Sequence, residues 1–146
     1  MSGPPEETGA RPELSLDVAW RLCRAALARA AEAGAAVSVA VVDAGGHLVA
    51  FARMDGAEIA GPTLAVDKAF TAVAHRVATA ELTEAAAPGG ELAGLAANGG
   101  GRYVVFGGGV PLWSSGAVAG GIGVSGGTVA EDVAAAEAGR VAWEER

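Results

Sequence analysis

The run Ala117–Ser125, AVAGGIGVS, narrows the fold more than any other stretch, because three glycines interrupt a segment otherwise patterned as a β-strand. Glycine adds backbone freedom to a strand and no packing surface, so Gly120, Gly121 and Gly123 imply that a helix, another subunit or a ligand approaches the backbone closely. Immediately downstream, Thr128 and Glu131 form a capping box that opens a final helix extending to about Trp143.

Two catalytic patterns overlap in this region. Gly121, Gly123 and Gly126 match the G-x-G-x-x-G dinucleotide fingerprint, and Gly123, Ser125 and Gly127 match the G-x-S-x-G nucleophile turn. The first pattern requires a parallel strand after its helix and an acidic residue further on, but the residues after Gly126 are taken up by one helix. The second requires an acid and then a histidine downstream, whereas His47 and His75 both precede Ser125. Neither pattern carries chemistry here. What remains is a seat for an anion at the backbone N–H groups of Ser125, Gly126 and Gly127.

A chain of 146 residues fits one domain, expected over residues 14–146, after a disordered Pro-, Glu- and Gly-rich tail at 1–13. Its hydrophobic content of 51% comes mainly from small residues, which favours closely approaching elements over a core of large rings. A net charge of −7 without a basic stripe excludes a nucleic-acid footprint. One cysteine, Cys23, allows neither an intrachain disulfide nor a cysteine metal cluster. With no signal-peptide pattern and no apolar run of roughly 18 residues, the expectation is a soluble, cytoplasmic protein without a membrane partner.

Ser15 caps a first helix with Leu16, Trp20, Cys23, Leu27 and Ala30 as its apolar stripe and Gly34 as its stop. Strands Val37–Asp43 and His47–Met54 follow, joined through Ala44, Gly45 and Gly46 as a β-hairpin. Val66, Phe70, Val73 and Val77 mark a second helix after Pro62, and a short helix over Thr79–Ala86 leads into a glycine-rich loop. Three more strands are predicted at Tyr103–Phe106, Val110–Trp113 and Ala117–Ser125. The order α-β-β-α-α-β-β-β-α with tight turns predicts an α+β fold, a five-stranded antiparallel sheet with helices packed on it.

VSVAVVDAGGHLVAFARMDGA, DKAFTA, GGGVPL and GAVAGGIGVSGGTVAEDVAAAEAG, in this order, closely resemble the GlcG/HbpS-like family, which includes the C-terminal domain of PduO-type proteins. The resemblance implies a profilin- or PAS-like domain that assembles into homo-oligomers, tetramers or octamers. It also implies haem or another tetrapyrrole as ligand class, since some members bind or degrade haem. The family's haem-ligating histidine near the start of the first helix has no counterpart in Leu14–Trp20.

The histidines that could serve as haem-axial ligands are His47, just after the hairpin turn, and His75, on a helix stripe with Lys68 and Thr71; Met54, Cys23 and Tyr103 are the other ligating types. Two histidines without a close His/Glu pair predict no dedicated metal site. A small-molecule site is expected where Arg53, Asp55, Lys68 and Thr71 come together, with backbone donors from the glycine loops, Gly108 and Gly109 among them. Arg53 would clamp a carboxylate, and a buried Lys68 would act as acid, base or amine nucleophile. The same charges would equally make ion pairs, Arg53 with Asp55 or Asp67 with Lys68 of a neighbouring chain.

Three functions stay open. The first is an oligomeric binder of haem or another small ligand. The second is a cofactor-independent enzyme acting on a small carboxylate or carbonyl compound, with Lys68, Arg53 and His75 as catalytic residues. The third is an oligomeric scaffold subunit.

Overall fold

The computed structural model describes residues 13–146, so the tail expected at 1–13 lies, apart from Glu13, outside the described residues. Glu13 itself accepts a hydrogen bond from Ser114 Oγ at 2.7 Å. Four strands, β1 (Ser38–Asp43), β2 (Leu48–Arg53), β3 (Gly109–Ser114) and β4 (Ala117–Ser125), form one antiparallel sheet in the order β2-β1-β4-β3. Four helices accompany it: α1 (Leu16–Glu32), α2 (Gly61–His75), the single turn α3 (Thr83–Ala86) and α4 (Val129–Glu144).

Register sorts the side chains between two faces, because residues paired across antiparallel strands point the same way. Val39 pairs with Val124, and Val41 with Ile122, which also pairs with Val110. These residues form the main core with Leu22, Cys23 and Ala26 of α1 and Ala135, Ala136 and Trp143 of α4. Trp143 is buried, and its indole N–H donates to the Trp113 carbonyl at 2.9 Å. The other face pairs Ala40 with Gly123 and Gly123 with Gly109, then Val42 with Gly121 and Gly121 with Pro111. It is nearly free of bulk, and α2 lies on it through Ala65, Ala69 and Ala72.

The strand glycines therefore answer to a helix. A Cβ on Gly123 would run into the Ala65 carbonyl oxygen and lie 2.6 Å from the Ala69 nitrogen, and one on Gly121 would lie 2.8 Å from the Ala69 carbonyl oxygen. At Gly123 helix backbone rests directly on strand backbone, and at Gly121 the Val73 side chain shares the contact. The capping box at the start of α4 is present as predicted, with Thr128 Oγ1 accepting from Glu131 N and Glu131 Oε1 accepting from Thr128 N.

Three sequence expectations are corrected. The sheet has four strands, not five: Tyr103–Phe106 is irregular. Two of its backbone groups are held by side chains in place of a strand partner, Val104 N–H donating to Thr71 Oγ1 at 3.0 Å and the Val105 carbonyl accepting from Thr83 Oγ1 at 2.8 Å. The buried stripe of α1 is Ala19, Leu22, Cys23, Ala26 and Ala30, while Leu16 and Trp20 face outward. Alanines at the contact let α1 approach α4 at Gly139, where a Cβ would meet Ile122 and lie 3.4 Å from the Leu22 carbonyl oxygen. Finally, α2 stops at His75, not Val77, because Arg76 turns into the left-handed region at φ 56°.

Substituting Gly123→Ala is expected to destabilise the chain by at least about 3 kcal/mol, since two backbones would have to separate. Gly34→Ala, at φ +73° with open space around it, is expected to lose only about 1 kcal/mol. Urea unfolding midpoints of the two variants measure the difference.

Candidate functional site

Lys68 projects from the α2 face of the sheet and is 1% exposed. Its ammonium donates to the Val124 carbonyl at 2.9 Å, to Ser125 Oγ at 3.3 Å and to Asp132 Oδ2 at 3.1 Å, which accounts for its three protons. Phe106 lies beneath it, with the ring centroid 5.0 Å from Nζ. The side chain runs along Gly108, where a Cβ would lie 2.8 Å from Nζ. Asp132, in the first turn of α4, accepts the Gly127 N–H at its other oxygen at 2.9 Å. Burial lowers the pKa of Lys68 and raises that of Asp132, and the attraction between them opposes both shifts.

The pair joins α2 to α4 around the end of β4. It also takes up part of the expected anion seat from within, because the Gly127 N–H donates to Asp132, and the next N–H, of Thr128, donates to Glu131. Sequence reasoning placed Lys68 in the interior but missed Asp132. A signal existed: Asp132 lies on the buried stripe of α4 with Ala135, Ala136, Gly139 and Trp143, where an acid needs a partner.

Thr71, Gly108 and Gly109 are also committed to structure. Thr71 Oγ1 lies 2.7 Å from the Asp67 carbonyl oxygen, to which it donates, and accepts the Val104 N–H. The Gly108 carbonyl accepts the Val124 N–H, and the Gly109 N–H donates to Thr79 Oγ1 at 2.9 Å. His75 packs edge-on against Tyr103, centroids 4.6 Å apart, and its Nε2 is buried without a hydrogen-bond partner. Tyr103 in turn stacks on Phe70, whose opposite neighbour is the Arg102 guanidinium, itself paired with Asp67 at 3.0 Å.

Arg53 and Asp55 are exposed and form no ion pair among the described residues, so the structure does not join them to each other or to Lys68. Arg53 shares a sheet face with Phe51 by strand alternation. That face, with the side of α2, frames a groove of about 430 Å³ lined by Leu48, Phe51, Pro62, Thr63, Val66 and Asp67. His47 is largely exposed, its Nδ1 3.3 Å from Asp43 Oδ1, and it lines a separate hollow of about 390 Å³ with Leu14, Asp43 and Ala119. Two other ligating candidates are enclosed: Cys23 is fully buried, and Met54 Sδ accepts the Val37 N–H at 3.3 Å.

Lys68→Met or Asp132→Leu alone is expected to destabilise the chain by about 3–5 kcal/mol, because each leaves a buried charge unpaired; the double variant should recover most of that loss. Chemical denaturation of the three variants tests the coupling. Burial also pushes the Cys23 thiol up to about 11. Iodoacetamide at pH 8 is therefore expected to leave Cys23 unmodified in the native chain and to alkylate it in urea, as mass spectrometry would show.

A family model, haem degrading protein HbpS-like, matches residues 14–140. The corrinoid adenosyltransferase PduO of Citrobacter freundii is 44% identical over 124 residues, 85% of this chain, although the chain spans only 37% of that protein's length. Among solved structures, the Klebsiella pneumoniae protein ORFY superposes with a TM-score of 0.89 at 32% identity, covering 99% of both chains. A PduOC:heme complex superposes with a TM-score of 0.85 at 41% identity, covering 88% of this chain and 94% of that one. From the first core residue, Leu14, to Arg140 inside the last helix, the chain belongs to the HbpS-like family.

Proposed function

We propose that this protein is an oligomeric small-ligand binder whose ligand is haem or another tetrapyrrole. The observation that carries this reading is the groove between β2 and α2, whose walls are apolar except for Thr63 and Asp67. A tetrapyrrole is a flat apolar disc edged by carboxylates, so it needs an apolar wall and a cation near one end. Leu48, Phe51, Pro62 and Val66 would hold the disc, and Arg53 would pair with a carboxylate. Asp67 adds little repulsion, because Arg102 already neutralises it.

None of the six lining residues offers a nitrogen or sulfur ligand to iron. His47, the exposed histidine, directly precedes Leu48 in sequence but lines the separate hollow with Asp43, so its Nε2 would reach an iron in the groove only if the side chain turned away from Asp43. When bound, haem would supply an iron centre for binding or activating small oxidants. The PduOC:heme relative and the family's description support the ligand class. Leu16 and Ile59, the latter 93% exposed, support assembly into an oligomer. No helix among the described residues is long and apolar enough to cross a membrane.

Haemin titration is expected to give a saturable Soret shift. Val66→Asp should weaken binding at least tenfold, and His47→Ala should change the bound spectrum. A spectrum unmoved by added protein, or a Val66→Asp variant that binds normally, overturns the reading, and native mass spectrometry of the same samples reports subunit number.

A further inference from the structure

A third hollow, of about 310 Å³, lies at the opposite end of α2 from the groove, bounded by Ala44, Val73, Arg76, Trp113, Gly116 and Val118. It differs from the other two in charge. The groove includes Asp67, and the hollow beside His47 includes Glu13 and Asp43, whereas this one contains no acidic residue and one arginine. In a chain of net charge −7, such a lining disfavours an anion less than the other two do.

Among the described residues Arg76 makes no hydrogen bond or ion pair through its side chain, and only Arg24 and Arg53 share that state; Arg21, Arg29, Lys68, Arg102, Arg140 and Arg146 each hold a carboxylate. Arg76 also occupies the C-cap of α2 in the left-handed region, φ 56° and ψ 37°, where glycine is the unstrained choice. Strain of this kind persists where a side chain is needed more than a relaxed backbone. Trp113 also lines this hollow. It is 46% exposed, and its backbone is anchored by the Trp143 indole, so an aromatic face is held at the rim of the edge strand β3. The Arg76 guanidinium does not stack on Trp113, although Arg102 and Arg146 each cover a ring, so this indole is not capped by a cation.

The geometry points to a second ligand site, distinct from the groove, that takes a planar aromatic carboxylate about one ring in size. The ring would stack on Trp113, and the carboxylate would accept a forked pair of hydrogen bonds from Arg76. Val73 and Val118 close the sides with apolar surface. A site near the lower limit of ligand pockets admits one ring but no macrocycle, so it does not depend on the haem reading.

Benzoate is the probe, with cyclohexanecarboxylate as its non-planar counterpart, and the readout is the Trp113 indole N–H cross-peak of the full chain, assigned by its loss in Trp113→Phe. Benzoate is expected to shift that peak saturably, and more strongly than cyclohexanecarboxylate does. Arg76→Gln should weaken binding at least tenfold. Arg76→Gly should weaken it equally while raising the melting temperature by a few degrees, because the strained residue is relieved, and this also controls for loss of folding. The proposal is overturned by an unmoved peak, by equal responses to the two acids, or by unchanged affinity in either Arg76 variant. A peak already protected in a protein-concentration-dependent way also overturns it, since a second copy of the chain would then cover Trp113.

Discussion

The contact of α2 with β4, backbone against backbone, sets the position of nearly everything else on that side of the sheet. It exists because Gly121 and Gly123 leave no Cβ between the strand and Ala65 and Ala69. At this separation the helix cannot place large side chains toward the sheet, so its buried face is alanine, threonine and one lysine. Lys68 finds room only by running along Gly108 toward the end of β4. The glycines of β4 and Gly108, just before β3, are thus one device: they lower the helix and open the passage that its lysine follows.

The passage ends at Asp132, which makes the Lys68 ion pair a link between the two layers of helix. A buried pair adds little net stability over a well-packed apolar substitute, because desolvating both charges offsets most of their attraction. Its effect is on arrangement. The ammonium has three acceptors and the carboxylate takes the Gly127 N–H as well, so a shift of α2 relative to α4 would break several hydrogen bonds together. This saturation also argues against Lys68 as a nucleophile or base. A reacting amine needs a free lone pair facing a substrate, and here every donor is turned toward protein.

Much of the fold was legible because its signals are local. The Asp43–His47 turn, the Thr128 capping box and the α2 start at Pro62 depend on residues within a few positions of one another. Errors arose where distant partners decide. Tyr103–Phe106 has strand-like composition, but Thr71 and Thr83 hold two of its backbone groups, and neither threonine announces that role in sequence. The α1 stripe was assigned to large residues, Leu16 and Trp20, when close packing against Gly139 favours the alanines. For the site, the likeness to a haem-binding family suggested a ligand class, but the groove depends on β2 meeting the flank of α2, which periodicity does not encode. The expected cluster of Arg53, Lys68 and Thr71 dissolved for the same reason: Arg53 faces outward on the edge strand, while the other two turn inward from the helix.

The ion pairs separate paired from unpaired cations in a way that sequence could not. In an acidic chain an arginine left without a carboxylate is unusual, since the surplus of acids makes partners easy to find. Most of the described cations have found one, at distances that suit either surface pairs of little energetic weight or the buried link at Lys68. Arg24, Arg53 and Arg76 have not, and the last two each stand near a hollow at one end of α2, Arg53 beside the apolar groove and Arg76 within the acid-free cup. An anionic ligand approaching this acidic chain would meet less repulsion beside these two arginines than beside its carboxylates. The same helix that the strand glycines draw down onto the sheet thus lies between the two proposed sites, one near its start and one at its end.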